Sequence, residues 1–132
     1  MERTLAIIKP DAVRRNLAGY IIWRLGQAGF TVTEMRMERL ARERAREFYL
    51  VHRNKPFYDG LVDFISSGPI VVMAIEKRNA VSDLREFIGA TDPADAACGT
   101  IRQEIALNIQ ENSMHASDSP ENAVRELAFF FG

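Results

Sequence analysis

Cysteine is almost absent from this chain, since Cys98 is the only one among 132 residues. A single cysteine excludes an intrachain disulfide and a zinc site built from cysteines, and it is typical of a reducing compartment. Long hydrophobic runs are also missing, because no stretch reaches the roughly 18 apolar residues that a membrane span needs. We therefore expect a cytoplasmic protein with no membrane partner.

The sequence has no excess of charge of either sign. Its 17 basic and 18 acidic side chains leave a formal net charge of -1. A balanced chain has no general attraction for polyanions, so no specific nucleic acid partner is predicted and any anion site must be local. Hydrophobic residues make up 47% and charged residues 27%, which predicts a single domain over residues 1–132 with a core of its own.

Several common enzyme motifs are absent. The sequence contains no P-loop, no dinucleotide-binding glycine pattern, no H-E-x-x-H and no G-x-S-x-G. It also lacks the aromatic-rich basic strand of RNA-binding sheets. These absences weigh against P-loop, zinc-protease and serine-hydrolase chemistry.

Apolar patterning predicts strands that alternate with helices. Strands are predicted over residues 4–8, 30–37, 70–75 and 113–116, and the second shifts its alternation near Glu34, which indicates a bulge. Helices are predicted over residues 17–28, 41–52, 58–65, 80–88 and 101–109, and after Ser119-Pro120-Glu121. Asn79 is expected to cap the helix that follows it. Residues 89–99 lack large apolar side chains, which favours a functional or interfacial surface loop. This order indicates an α/β or α+β protein with about four strands.

The chain has two histidines, at positions 52 and 115. His52 lies on the amphipathic face of a predicted helix, where a partly buried residue without a catalytic role is the simpler interpretation. His115 lies among small and polar residues in N-S-M-H-A-S-D-S, where a ligand could approach. A neutral imidazole is a nucleophile near pH 7 when a carboxylate orients its other nitrogen, and Asp118, Glu121 and Glu126 are near enough in sequence. A turn histidine that bonds locally is the alternative.

Lys9 follows the first predicted strand and precedes Pro10. Its position is compatible with a phosphate-binding cation, but a solvated lysine is the simpler interpretation of the spacing. The residues taken one by one therefore leave both readings open.

Several segments taken together resemble nucleoside diphosphate kinases. They occur in order from Glu2 to Phe131: T-L-A-I-I-K-P-D-A-V, K-P-F-Y, S-G-P-I-V-V-M, A-T-D-P-A-D, G-T-I-R and N-S-M-H-A-S-D-S-P-E. The resemblance implies an α+β fold (an α/β sandwich), namely a ferredoxin-like βαββαβ arrangement with a four-stranded antiparallel sheet covered by helices. It also implies transfer of the γ-phosphate of a nucleoside triphosphate to a nucleoside diphosphate. The transfer would be ping-pong, through a phosphohistidine on His115, with broad base specificity.

The resemblance assigns roles to the matching positions of this sequence. The implied catalytic residues are His115, Lys9, Tyr49, Ser117 and Glu126. The implied nucleotide-binding residues are Lys9, Phe57, Leu61, Arg85, Thr91, Arg102 and Asn112. Within these groups, Glu126 and Ser117 would orient the imidazole, Asn112 and Lys9 would bind the ribose hydroxyls, and Phe57 would stack on the base.

The resemblance further implies a magnesium ion on the nucleotide phosphates rather than in a protein cage, as suits an ion that dehydrates reluctantly. The implied partners are nucleoside di- and triphosphates and further copies of the chain, in a tetramer or a hexamer. The sequence departs from the family pattern at Val51, Cys98, Gln103 and Ala116. Val51 stands where an acidic residue is usual, which removes any help to magnesium from that position.

Two hypotheses from other classes compete with the enzyme. The same scaffold could be a catalytically inactive regulator that binds nucleotides or nucleic acid, because a fold does not determine a function. Such a binder has no reason to keep both His115 and the phosphate-facing arginines. A histidine-phosphorelay domain would be an all-helical bundle, which conflicts with the strand predicted over residues 70–75.

Overall fold

The computed structural model describes all residues, Met1–Gly132. The sheet is formed by the strands β1 (Glu2–Ile8), β2 (Thr31–Glu38), β3 (Ile70–Lys77) and β4 (Met114–Ala116). The helices are α1 (Pro10–Arg14), α2 (Ala18–Gln27), α3 (Arg42–Phe48), α4 (Tyr58–Ile65), α5 (Ala80–Ile88), α6 (Ile101–Ile105) and α7 (Pro120–Phe131). Short 3-10 turns occur at Leu50–His52 and Pro93–Asp95.

The strand order is β2-β3-β1-β4, and every neighbouring pair is antiparallel. This arrangement confirms the expected α+β class and the four-stranded antiparallel sheet. The register between β2 and β3 shifts between Val32 and Glu34, which confirms the predicted bulge.

Helices cover both faces of the sheet, so the central strands are buried on both sides. Ala6 and Ile8 of β1 face a core that includes residues of α2 and α5, whereas Leu5 and Ile7 face a core that includes residues of α3, α4 and α7. This is why β1 and β3 appear in the sequence as continuous apolar runs rather than alternating ones.

The structure corrects some predicted element bounds. The short helix α1, which is not among the predicted helices, follows β1 directly and has Pro10 at its first position, where the missing N–H costs nothing. The helix predicted over residues 41–52 ends at Phe48, and a separate 3-10 turn follows over Leu50–His52. The helix predicted over residues 101–109 ends at Ile105. Beyond it, the side-chain oxygen of Asn108 accepts the N–H groups of Gln110 and Glu111, which competes with helix formation.

Asn79 does not act as the predicted side-chain cap. It adopts a left-handed conformation with φ +58°, and its side chain makes no capping hydrogen bond. The Glu2 carboxylate accepts the N–H of Val81 at 2.8 Å instead, so the first turn of α5 is satisfied by a residue from β1.

The end of β1 and the start of β4 lie side by side. Ile8 pairs with Met114, and the N–H of Lys9 donates to the carbonyl of Ser113 at 2.9 Å. This pairing places Lys9 beside the segment that carries His115. No helix in the structure is long and apolar enough to cross a membrane.

Candidate active site

A cavity of about 380 Å³ opens beside β4 and α7. It is lined by all but one of the residues proposed from the sequence: Lys9, Tyr49, Phe57, Leu61, Arg85, Thr91, Arg102, Asn112, His115 and Glu126. The exception is Ser117, which is fully buried behind the cavity and bonds to Glu126. Residues from distant parts of the chain therefore meet in one place.

Glu126 orients His115. Its Oε1 lies 2.9 Å from His115 Nε2 and accepts the Ser117 hydroxyl at 2.7 Å, while Arg125 Nη2 donates to Oε2 at 3.4 Å. Burial alone would raise the pKa of Glu126, but the hydrogen bonds from His115 and Ser117 and the charge of Arg125 hold it below its ordinary value. An ionised carboxylate only accepts hydrogen bonds, so in the neutral imidazole the proton sits on Nε2 and the lone pair on Nδ1.

Phe48 supports the same imidazole from α3. The two rings meet edge to face, with centroids 5.3 Å apart and planes at 70°. Phe48 is itself buried among Tyr49, Phe129 and Phe130. The packing of Phe48 restricts rotation of the His115 ring and excludes water from one side of that imidazole.

The cavity wall contains a buried lysine. Lys9 is 6% exposed, and its ammonium donates a hydrogen bond to Asn112 Oδ1 at 2.9 Å. Burial and the nearby Arg102 charge lower the pKa of Lys9 to about 8, partly opposed by Asp11. The amide nitrogen of Asn112 donates to the carbonyls of Thr91 and Ile109, so this acceptor is itself fixed.

Arg102 is held by backbone carbonyls. Nη1 donates to Gly89 at 2.9 Å and Nη2 to Met114 at 2.7 Å, which ties α6 to the end of α5 and to β4. Burial, together with the charge of Arg85, lowers the pKa of Arg102 to about 10. Cations that depress one another's pKa in a buried site indicate a place that binds an anion.

The other side of the cavity is aromatic and apolar. Phe57 is 51% exposed and lies 5.5 Å from the His52 ring, measured between centroids. The exposed Ile109 and the half-buried Leu61 also line this side. Burial, with a contribution from Glu126, raises the pKa of Tyr49, so its hydroxyl stays neutral.

Several lining residues have no role assigned from the sequence: Phe48, Ile109, Asn122 and Arg125. Helical spacing could have found Asn122, since it precedes Glu126 on α7 by four positions and shares its face. Phe48 could not be found this way, because an apolar helical position gives no sign of a contact with a distant histidine.

The donors that face the cavity fit phosphate better than a bare metal ion. No group of three or more histidine, cysteine, aspartate or glutamate side chains could hold a metal. The lining carboxylates are Asp118 and Glu126, and Glu126 is already engaged by His115 and Ser117. A divalent ion held on phosphate oxygens would find Asp118 as the remaining carboxylate for a water ligand.

Comparison with known proteins agrees with this geometry. A family model described as nucleoside diphosphate kinase matches residues 2–132. A nucleoside diphosphate kinase of Pelobacter propionicus is 53% identical over 131 residues, covering 99% of this chain and 96% of that protein. One of Chlorobium luteolum is 56% identical, covering 99% and 94%. A crystal structure of the Aquifex aeolicus nucleoside diphosphate kinase superposes with a TM-score of 0.97 at 44% identity, covering 99% of this chain and 95% of that one.

Proposed function

Because the chain belongs to the nucleoside diphosphate kinase family, whose members bind nucleotides and transfer phosphate between nucleoside triphosphates and diphosphates, we propose that His115 carries the phosphoryl group between them. The observation that supports this mechanism is the 2.9 Å contact between His115 Nε2 and Glu126 Oε1. It leaves Nδ1 as a nucleophile in the wall of a cationic cavity.

The reaction divides into two steps. In the first, the Nδ1 lone pair attacks the γ-phosphorus of the triphosphate, the N–P bond forms, and the bond to the bridging oxygen breaks. The diphosphate leaves with that electron pair. In the second, a terminal oxygen of another diphosphate attacks the phosphorus, and the N–P bond breaks with its electron pair returning to Nδ1. Glu126 keeps the Nε2 proton in place throughout and stabilises positive charge that develops on the ring.

The cations act on the charge of the transferring group. Phosphoryl transfer asks mainly for positioned donors around the phosphate oxygens, and Lys9, Arg85 and Arg102 line the cavity with that chemistry. Tyr49 and Thr91 add neutral hydroxyls. Arg102 is well suited to this role because two backbone carbonyls set its orientation before a nucleotide arrives.

Polar and aromatic residues of the same cavity would bind the nucleoside part. Asn112 and Lys9 would hold the ribose hydroxyls, and Phe57 with Leu61 would contact the base. An exposed ring stacks on any base, so we propose broad base specificity.

Members of this family generally need a divalent metal, and we propose that it is Mg²⁺ bound to the phosphates. When bound, the ion neutralises charge on the phosphate oxygens. This chain would contribute through Asp118, by way of a water ligand. Further proposals from the sequence are a cytoplasmic location, a single domain over residues 1–132 and a homo-oligomer of four or six chains.

Labelling with γ-³²P-ATP and then removing the nucleotide tests the mechanism. The parent chain should acquire an acid-labile label that a nucleoside diphosphate discharges. His115→Ala should stay unlabelled, whereas His52→Ala, which changes the only other histidine, should still label. A labelled His115→Ala would refute the phosphohistidine, and a parent that binds nucleotide without labelling would favour the inactive regulator.

A further inference from the structure

Asp11 is a buried carboxylate beside the cavity that no step above uses. It is the second residue of α1 and is 1% exposed. Its Oδ2 accepts the Ser113 hydroxyl at 3.1 Å, while Oδ1 has no hydrogen-bond partner. A carboxylate that is buried with one hydrogen bond is costly, so a compensating cation is expected nearby.

Lys9, two residues earlier in the chain, is the cation on which the Asp11 charge acts, although the two side chains form no hydrogen bond or close ion pair. Its ammonium is buried as well, and the acceptor of its hydrogen bond is the neutral amide of Asn112. Two charged groups act on it: Arg102 from α6 lowers its pKa, and Asp11 from α1 raises it. Asp11 is thus the negative charge that opposes both burial and Arg102.

Ser113 connects Asp11 to the strand that carries His115. Its φ is +76°, a left-handed conformation that serine rarely adopts. Its hydroxyl donates to Asp11, and its carbonyl accepts the N–H of Lys9 at 2.9 Å. These two bonds hold the strained turn between Asn112 and β4.

From these contacts we propose that Asp11 is a positioning residue of the kinase reaction with two effects. Its charge keeps the Lys9 ammonium protonated for phosphate, and its bond to Ser113 fixes the turn that sets Asn112 and His115. The inference rests on the proposed function of this site. Asp11 would act through Ser113 and Lys9 rather than by touching the substrate.

Asp11→Asn separates the two effects. The variant keeps the size of the side chain and an oxygen for the Ser113 hydroxyl, but it loses the charge. In the profile of kcat/KM against pH, the alkaline limb should move at least about half a pH unit toward acid, because an opposite charge nearby favours the charged form. Ser113→Ala should instead lower kcat/KM by a similar factor at every pH, with the limb unmoved. Asp83→Asn, which removes a carboxylate paired with Lys77, is the matched control and should leave the profile unchanged.

A direct titration makes the result independent of activity. The chain has three lysines, Lys9, Lys55 and Lys77, so their side-chain carbon signals can be assigned and followed by NMR. The Lys9 signal should titrate at lower pH in Asp11→Asn than in the parent, and the other two should not move. An unchanged Lys9 titration would overturn the charge effect, and full activity of Ser113→Ala would overturn the positioning effect. A parent without kinase activity, in which Lys9 nevertheless responds to Asp11, would refute the proposed function alone.

Discussion

His115 and Glu126 are joined by a 2.9 Å contact between Nε2 and Oε1, although one lies on β4 and the other on α7. The contact is possible because Ala123, Glu126 and Phe130 share the buried face of α7. A charged side chain on that face has to be satisfied, and His115, Ser117 and Arg125 satisfy it.

Removing the charge of Glu126 should slow transfer. Glu126→Gln keeps the shape, but a neutral amide no longer selects the tautomer with the proton on Nε2. We expect kcat/KM to fall about 100-fold, within the range seen when an orienting or acid–base group is lost. Steady-state kinetics with ATP and a diphosphate acceptor measure this. Glu121→Gln, an exposed position in the first turn of the same helix, is the control and should stay near the parental rate.

Activity should decline above about pH 8, where Lys9 loses its proton. Stability should move the other way. The pKa of Lys9 in the folded chain lies below its unfolded value of 10.5, so the unfolded chain binds more protons between these values. The Lys9 contribution to the free energy of unfolding therefore becomes more favourable as pH rises from about 8 to 10.5, by up to about 3 kcal/mol.

Urea unfolding of the parent and of Lys9→Met at several pH values tests the stability part of this prediction. Any advantage in stability of the variant should shrink as the pH rises across this window. A constant difference would contradict the depressed pKa of Lys9.

The base should matter little to the rate. Phe57 offers a flat exposed surface, and stacking on such a ring contributes about 1–3 kcal/mol. Phe57→Ala should therefore weaken the binding of ADP, GDP, CDP and UDP by similar factors. A spread of more than about a thousandfold in kcat/KM among these acceptors in the parent would reveal a residue that reads base edges.

Gly89 should tolerate no side chain. Its φ is +97°, and a Cβ there would lie 2.6 Å from Thr100 Oγ1 and 2.8 Å from Thr100 Cβ. Gly89→Ala should lower the free energy of unfolding by about 1–3 kcal/mol. It should also lower kcat/KM, because the Gly89 carbonyl orients Arg102.

Gly99→Ala is the matched control for Gly89. Gly99 has a similar φ of +90°, but no atom lies within 4 Å of where an added Cβ would sit. It carries the left-handed strain of about 1 kcal/mol without the clash. Thermal unfolding should place Gly99→Ala between the parent and Gly89→Ala, and equal losses in the two variants would show that the contact with Thr100 is unimportant.

The loop over residues 89–99 should link assembly to activity. Pro93 begins its 3-10 turn, and the carbonyl of Thr91 accepts a hydrogen bond from Asn112 in the cavity. Pro93→Ser should loosen the proposed homo-oligomer, lower the Tm and reduce activity together, since losing proline widens the unfolded ensemble. Light scattering that shows a fully active monomer would contradict both the assembly and the link.

Short-range chemistry made much of this molecule predictable. The apolar run of β3, the bulge near Glu34 and the start of α7 at Ser119-Pro120 follow from local patterns, and the structure confirms them. The satisfaction of the first turn of α5 is different, because it depends on a contact that no local pattern contains. The sequence predicts that Asn79 caps α5, but the carboxylate of Glu2, on β1, accepts the N–H of Val81 instead.

The sequence by itself determined the residue types of the site and, through several ordered motifs, the family to which the chain belongs. Only the tertiary structure decided which nitrogen of His115 is free, and that the buried Asp11 and Ser113 are connected to Lys9. The reason is that pairing of β1 with β4 brings Lys9 and Ser113 within 2.9 Å although they are more than a hundred residues apart in sequence. Burial, which lowers the pKa of Lys9 to about 8, likewise exists only once the chain has folded.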